Sequence, residues 1–479
     1  MVPFGVTYMG SKFKQAGLVL VGVLAGVMLS LNFSAVAQRE AAKFPLPVDE
    51  LRAFAEVFGS IKANYVETVE DKKLITEAIN GMLTGLDPHS AYLDQEAFKE
   101  LQVGTQGEFG GLGIEVGMED GFVKVVSPIE DTPAFRAGLK PGDLIIKLDD
   151  TPVKGMNLND AVKRMRGKPK STIRLTILRK GDSKPFEVTI VRDVIRVQSV
   201  KSKMLEPGYG YVRVSQFQEH TGENLVKHIN ALYKDGPLKG FILDLRNDPG
   251  GLLNGAVGIS AAFLPPKATV VSTDGRTEDA KRKYVASPED YLRGTRDDYL
   301  RSLPAQIKTV PMVVLVNGGS ASASEIVAGA LQDYKRATVI GTQTFGKGSV
   351  QTIMPLGNNT AIKLTTARYY TPHGRSIQAK GITPDFVVEE PGSSAGRIRE
   401  ADLDKHLAND RDKTEAQKKE EKEKAEKAAP ASDPKNDKPI ELGGPDDFQL
   451  KQAVNHLKGQ PVIAKAEKPD EPAKAETKN

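Results

Sequence analysis

The sequence predicts a multidomain α/β (α+β) protein in which a helical N-terminal unit precedes a small strand-rich domain and a larger α/β core. Residues 48–101 carry apolar side chains at steps of three and four, the period of an amphipathic helix. Residues 106–193 contain short apolar runs separated by glycines, which is typical of short strands. Residues 205–390, completed by part of 194–204, alternate continuous apolar strands with helices, as in a buried parallel sheet.

The composition excludes several kinds of chemistry. The 479 residues include no cysteine, so thiol catalysis, disulfide frameworks and cysteine-ligated metal sites are excluded. The charged residues make up 27% of the chain and leave a net charge of +4, without the basic tract of a nucleic-acid-binding protein. We therefore expect no nucleic-acid partner.

The N-terminal segment has the features of an export signal. Lys12 and Lys14 precede an apolar run over residues 16–31, and small residues follow at 34–37 with the spacing of a signal-peptidase site. The same stretch is about long enough to span a bilayer if it stays uncleaved. Residues 1–37 are therefore predicted to be a signal peptide or an N-terminal membrane anchor, and both alternatives imply export.

The C-terminal part of the chain changes character. Residues 391–444 are rich in Lys, Glu, Ala and Pro and are predicted to be a charged low-complexity linker. Residues 445–479 are predicted to be a C-terminal helix followed by a disordered tail, because an apolar stripe recurs at Phe448, Leu450, Ala453, Val454 and Leu457. This helix is expected to dock on the body of the protein or on a second subunit.

A first candidate for catalysis is the serine-rich motif of residues 316–325, which leaves a buried strand and enters a helix. N–H groups at the start of that helix would face negative charge developing beside Ser322, as an acyl-transfer nucleophile requires. The alternative is a capping box, in which Ser322 caps the helix and Glu325 reaches back to it. This motif alone does not decide between them.

A second motif, residues 341–351, favours catalysis. If its end is extended, Lys347, Ser349 and Gln351 project on one face of a strand. A lysine can take a proton from a serine hydroxyl only when burial or a cationic neighbour lowers its pKa. The competing interpretation is a phosphate-binding loop, but Gly348 stands where that loop needs Ser or Thr, and a strand follows instead of a helix.

A third motif is the turn of residues 244–252. Gly250 or Gly251 could supply a backbone N–H for an oxyanion. The alternative is an ordinary strand-to-helix turn in which Arg246 and Asp248 form a local salt bridge. Histidine catalysis is not favoured, because His89 lies in a turn-rich loop and is predicted to be structural.

Taken together, the three motifs resemble those of the C-terminal processing peptidases, also called tail-specific proteases, over about residues 48–390. The resemblance implies a serine endopeptidase with a Ser-Lys pair that needs neither a metal nor a nucleotide, so no cofactor is expected. Ser322 would be the nucleophile, Lys347 the general base and Gln351 its supporting residue. The implied oxyanion donors are the backbone N–H groups of Ala323 and of either Gly250 or Gly251.

Residues 106–193 resemble the PDZ domain of that family, inserted between the N-terminal unit and the peptidase core. Successive N–H groups in a glycine loop can hold a terminal carboxylate, and an extended peptide can pair with the strand after it. The implied peptide-binding residues are Gly111, Leu112, Gly113 and Ile114, together with Arg166, which matches a family arginine that contacts the core when substrate is bound. The alternatives are a flexible hinge and, for Arg166, an exposed helix-end cation.

The sequence thus predicts an endopeptidase of the bacterial periplasm, or of the periplasmic face of the inner membrane, that recognises free C-termini of envelope proteins and cuts near them. The predicted partners are protein or peptide substrates; a homo-oligomer through the N- and C-terminal helices and an envelope adaptor are further hypotheses. The alternative function is a non-catalytic PDZ scaffold of the cell envelope.

Overall fold

The computed structural model describes residues 46–129, 131–182, 184–294, 297–390, 398–411 and 441–465. The predicted leader, most of the predicted linker and the end of the predicted tail lie outside the described residues. Within the described ranges, no helix combines the length and apolarity that a bilayer crossing requires.

The secondary structure mixes helices and strands along the whole described chain. The helices are α1 Val48–Asn64, α2 Asp71–Thr84, α3 Gln95–Gln106, α4 Pro133–Arg136, α5 Leu158–Met165, α6 Thr221–Leu232, α7 Leu253–Phe263, α8 Pro288–Tyr291, α9 Ala323–Asp333 and α10 Phe448–Leu457. The first nine strands are β1 Ala91–Leu93, β2 Glu108–Gly111, β3 Ile114–Glu119, β4 Phe122–Pro128, β5 Leu144–Leu148, β6 Thr151–Pro152, β7 Thr172–Leu178, β8 Phe186–Val191 and β9 Asp193–Arg196. The others are β10 Val200–Glu206, β11 Tyr209–Val214, β12 Gly240–Asp244, β13 Thr269–Gly275, β14 Arg282–Val285, β15 Met312–Val316, β16 Thr338–Gly341, β17 Ser349–Pro355, β18 Ala361–Tyr370 and β19 Phe386–Val387.

The chain divides into two compact units, residues 1–78 and residues 79–479. In the first unit, α1 has acidic residues in its first turn and a lysine in its last, an arrangement that the helix dipole favours. Its apolar side chains, among them Leu51, Phe54 and Ile61, are exposed. Among its described residues, the main feature of this unit is therefore an exposed apolar stripe on α1.

The inserted domain is built on an antiparallel sheet in the order β3-β4-β5-β7-β8, with β6 on β5. Its own core includes Val123, Ile145 and Leu175, which are buried. Helix α5 begins where the Asn157 side chain accepts the Asp160 N–H. Strand β3 lies at the sheet edge, so one side of its backbone is unpaired within the sheet.

The larger core contains a sheet in the order β10-β11-β12-β15-β16-β19, parallel from β11 onward. One face of this sheet and helices α6, α7 and α9 contribute to a single apolar cluster. A second, antiparallel sheet joins β1, β18, β13, β14 and β17. Strand β1 lies within the predicted helical unit, so that unit contributes a strand to the core and is not purely helical.

The other face of the parallel sheet is covered by α10. Leu450 and Ala453 of this helix pack against sheet residues that include Ile242 and Leu315. The apolar stripe of the C-terminal helix therefore docks on the body of the same chain, one of the two alternatives that the sequence left open.

Arg246 anchors α10 to the sheet. Its guanidinium binds Asp244 and Asp447, with Nη2–oxygen distances of 2.6 Å to each carboxylate, and all three side chains are fully buried. The hypothesis of a local salt bridge between Arg246 and Asp248 is therefore wrong: the second partner of Arg246 comes from the C-terminal helix.

Part of the predicted linker is packed. Residues 398–411, which we name the post-core segment, lie against the core with Glu400 and Asn409 buried. The Asn409 amide donates to the Gln378 carbonyl at 2.7 Å. A region rich in charge thus contains a short stretch with tertiary contacts, because a few of its polar groups find buried partners.

Candidate active site

The three sequence motifs meet at one edge of the parallel sheet. They follow the carboxyl ends of β12, β15 and β16, which are neighbours in the sheet, and such ends lie side by side. Hydrogen bonds join the turns: Ser320 Oγ donates to the Leu245 carbonyl at 2.8 Å, and the Phe345 N–H donates to the Ser320 carbonyl at 3.0 Å. The resulting edge brings together residues that are distant in sequence.

Ser322 stands at the start of α9 in an unusual backbone conformation. Its φ of 56° and ψ of −112° are rarely adopted by residues with a side chain, and such strain is common at functional sites. The Ser322 N–H donates to Glu325 Oε2 at 2.8 Å, as the capping-box alternative requires. The Ser322 hydroxyl lies 2.8 Å from Tyr369 Oη.

Glu325 joins the serine and lysine segments. Its Oε2 accepts the N–H groups of both Ser322 and Lys347, at 2.8 and 2.9 Å, and its Oε1 accepts the Gly346 N–H at 2.7 Å. Burial raises the pKa of Glu325 to about 7, although these donors favour the ionised carboxylate. The shared oxygen holds the two backbones within two hydrogen-bond lengths of each other.

Lys347 is half-buried and faces charges of both signs. Burial lowers the pKa of the Lys347 ammonium, and Lys363 lowers it further. The carboxylates of Glu400, Glu325 and Asp87 oppose this effect without reversing it. In the described part of the chain, Lys347 Nζ makes no hydrogen bond, so the site brings the predicted base near the serine without a direct bond between them.

Gln351 does not contact the lysine amine within the described residues. Its Nε2 donates to Ser349 Oγ at 3.0 Å and to Thr365 Oγ1 at 3.2 Å. A bulge between Val350 and Gln351 interrupts the pairing of β17 with β18. The side chains of Ser349 and Gln351 thus belong to a hydrogen-bond network that does not include the Lys347 amine among the described residues.

The glycine turn borders Ser322. A Cβ added to Gly250 would lie 2.8 Å from Ser322 Cβ and 2.9 Å from the Ala323 nitrogen, so only glycine fits there. The Gly250 N–H donates to Asp248 Oδ1 at 2.8 Å. Among the described residues, the N–H groups of Gly251 and Ala323 have no acceptor, so both remain available to a ligand oxygen.

The predicted carboxylate loop has available donors as well. Gly113 has a φ of +76°, and an added Cβ would lie 2.2 Å from Thr132 Cβ. The Leu112 and Gly113 carbonyls accept hydrogen bonds from Ala134 and Ile129 at 2.9 Å, which fixes the loop. Within the described chain, the N–H groups of Leu112 and Gly113 have no acceptor. The fixed loop argues against a plain flexible hinge.

Two other predicted peptide-binding residues have structural contacts. Gly111 ends strand β2, whose pairing with β9 joins the two ends of the inserted domain. The Arg166 guanidinium lies over the Phe109 ring, 4.7 Å from its centroid, a favourable cation–π contact. Arg166 is exposed at the end of α5, as its alternative interpretation stated.

Sequence reasoning missed two residues at this site. Tyr369 binds the Ser322 hydroxyl, and Glu400 binds His89, with 2.7 Å between Glu400 Oε2 and His89 Nε2. No motif marked Tyr369 or Glu400. The turn around His89 was recognised, but Glu400, the partner of His89, lies 311 positions away, so no local sequence pattern indicated the contact.

One edge of the parallel sheet brings together a strained serine, a half-buried lysine and available backbone N–H groups, and a PDZ domain precedes them in the chain. These features define a PDZ-containing serine peptidase. Profiles of known families match three parts of the chain: "Activating protease CtpB N-terminal domain" at residues 5–97, "PDZ domain" at 110–190 and "Peptidase family S41" at 208–388. A carboxy-terminal-processing protease of Bartonella bacilliformis is 49% identical over 372 residues, which cover 77% of this chain and 82% of that protein. The carboxy-terminal processing protease CtpA of Bacillus subtilis is 35% identical over 388 residues, covering 80% and 78%. The chain therefore belongs to the carboxy-terminal processing proteases of peptidase family S41.

Proposed function

We propose that this peptidase cuts exported proteins near their free C-termini by a Ser-Lys acyl-enzyme mechanism. The observation that carries the proposal is the shared Glu325 oxygen, which holds the backbones of Ser322 and Lys347 together at the sheet edge. The lowered pKa of Lys347, caused mainly by burial, supports its role as a base, because only the neutral amine can accept a proton.

In the proposed cycle, the Ser322 hydroxyl leaves Tyr369 and turns to Lys347, which takes its proton as Oγ attacks the scissile carbonyl. The N–H of Ala323 and an N–H of the Gly250-Gly251 turn stabilise the oxyanion. The C–N bond then breaks, Lys347 returns the proton to the leaving amine, and an acyl ester remains. Water, deprotonated by Lys347, hydrolyses that ester and regenerates the serine.

Recognition of the substrate tail is assigned to the PDZ domain. The unpaired N–H groups of Leu112 and Gly113 would bind the terminal carboxylate, and the peptide would add to the edge strand β3. The predicted export signal in residues 1–37 supports the bacterial periplasm, or the periplasmic face of the inner membrane, as the place of action. Proteins of the envelope would then be the substrates.

The proposal is tested with an unfolded reporter that ends in an apolar residue and carries either a free or an amidated C-terminus. We expect cleavage near the free end and a kcat/KM at least about tenfold lower for the amidated reporter, mainly through KM, because amidation removes a charged acceptor. Product masses locate the cut.

The same assay separates the peptidase from the non-catalytic scaffold. A scaffold would bind the free tail and release it intact. A reporter that is cut equally well with either end would contradict recognition of the terminal carboxylate, while cleavage itself would still support the peptidase.

We extend the proposal to a homo-oligomer formed through α1, whose exposed apolar side chains could pack against the same surface of a second copy. Phe54→Asp is expected to convert the oligomer to a monomer, halving the mass of a dimer in light scattering. Glu56→Gln, on the same helix, should leave the mass unchanged. A wild-type protein that is monomeric at micromolar concentration would contradict this assembly.

A further inference from the structure

The post-core segment delivers a buried carboxylate to the proposed catalytic base. The Glu400 N–H donates to the Phe345 carbonyl at 3.1 Å, two residues before Lys347. Gln378 Nε2 donates to Glu400 Oε1 at 2.9 Å, and Gln378 Oε1 accepts the Gly348 N–H at 3.0 Å. Glu400 is thereby attached to the loop on both sides of Lys347.

A histidine from the beginning of the core faces the same carboxylate. His89 Nε2 lies 2.7 Å from Glu400 Oε2, and the Glu400 side chain is 1% exposed. The loop that carries His89 is fixed by Asp87, whose Oδ1 accepts the N–H groups of His89 and Ser90 at 2.8 and 2.9 Å. This contact joins two parts of the chain that both lie outside the three catalytic motifs.

We infer that Glu400 and His89 are positioning residues that together set the charge facing Lys347, and so set the pH range in which the base works. A carboxylate near a lysine favours its protonated form, whereas a donor on that carboxylate offsets part of the negative charge. The inference rests on the proposed role of Lys347 and adds two residues that regulate it.

In the part of the chain that the structure describes, four charged groups act on the lysine. Lys347 faces Glu400 from the post-core segment, Glu325 from α9, Asp87 from the His89 loop and Lys363 from β18. Among the described residues, the donors to Glu325 and Asp87 are backbone N–H groups and hydroxyls, whereas Glu400 is bonded by the side chains of His89 and Gln378.

Glu400 has ionisable neighbours, among them His89, Lys347 and Tyr369. Burial alone would raise the pKa of Glu400, but the hydrogen bonds from His89 and Gln378, together with electrostatic attraction to His89 and Lys347, hold that pKa below its ordinary value. Glu400 is therefore a carboxylate whose negative charge toward the lysine is offset in part by the hydrogen bond from His89.

The test measures the protonation of Lys347 itself. In the full chain carrying Ser322→Ala, labelling of Lys347 by an amine-reactive reagent is followed by mass spectrometry between pH 5 and 11. Glu400→Gln is expected to move the labelling midpoint down by about one pH unit, because it removes a negative charge. His89→Leu should move it up by about half a unit, because the carboxylate loses its donor.

Opposite shifts of the labelling midpoint in Glu400→Gln and His89→Leu separate the inferred role from a merely structural one, because a structural role would move the midpoint of both variants in the same direction. His89→Gln should restore the wild-type midpoint, since an amide can still donate to Glu400. Asp402→Asn, in the same segment but bonded to the Arg399 N–H, is the matched control and should leave the midpoint unchanged. If Glu400→Gln fails to fold, the comparison of His89→Leu with His89→Gln tests the inference: an upward shift of the midpoint in His89→Leu alone would support it.

Unchanged midpoints, or shifts of the same sign, would overturn the inference while leaving the peptidase proposal intact. Conversely, retained reporter cleavage by Lys347→Ala would overturn the proposed function even if labelling shifted as described. The pH dependence of kcat/KM in variants with Ser322 restored should move in the same directions as labelling.

Discussion

Replacement of either Ser322 or Lys347 by alanine is expected to lower kcat/KM by about 10⁴-fold or more, with the fold intact. If Ser322 is the nucleophile and Lys347 its base, as proposed, removing either one leaves only binding and oxyanion stabilisation, which supply a small part of the rate enhancement. The Glu325 carboxylate accepts backbone N–H groups of both residues, so these substitutions leave its two bonds in place. Reporter cleavage measures the loss, and far-UV circular dichroism checks the fold.

Lys347→Arg separates a base from a simple positive charge. Arginine keeps the charge but cannot lose a proton in this pH range, so this variant should be as inactive as Lys347→Ala. The surface substitutions Ser302→Ala and Lys335→Ala serve as matched controls and should keep wild-type rates. Full activity of Lys347→Arg would mean that the lysine acts electrostatically and that another group takes the proton.

The second large effect is on stability. Asp447→Ala should lower the free energy of unfolding by roughly 3–5 kcal/mol, because it leaves the fully buried Arg246 guanidinium with one carboxylate partner in place of two. It also removes the side-chain cap of α10, since Asp447 Oδ1 accepts the Leu450 N–H at 2.9 Å. Urea unfolding followed by circular dichroism measures the change.

Asp446→Ala is the matched control, because the adjacent aspartate is exposed. It should stay within about 0.5 kcal/mol of the wild type, as surface substitutions usually do. If both variants unfold at the same urea concentration, the C-terminal helix does not contribute to the stability of the core in the way proposed.

The architecture was predictable because its signals are local. Continuous apolar runs marked β12 and β15, and each run ended in a glycine- or serine-rich turn. Parallel neighbours place such turns at the same edge, so three separate motifs predicted one site. The PDZ strands β4 and β5 were likewise predictable from the sequence, since short apolar runs between glycines are typical of short strands.

The remaining contacts depend on pairs far apart in sequence. Glu400 lies in a stretch whose composition indicates a solvated linker, and only its tertiary partners keep it buried. Tyr369 is one of two consecutive tyrosines, and nothing local tells which one points at Ser322. Strand β1 has three residues, too short for a period of two to be distinguished from a turn.

The contact between Arg246 and Asp447 also bears on the biosynthesis of the enzyme. The two residues are 201 positions apart, so a ribosome makes both Ser322 and Lys347 before it makes the aspartate that completes the sheet's second face. Until then the guanidinium has Asp244 but lacks its second carboxylate partner, and the apolar face that receives α10 is uncovered. A nascent or truncated chain that lacks α10 would therefore carry both proposed catalytic residues on a sheet with one apolar face still exposed.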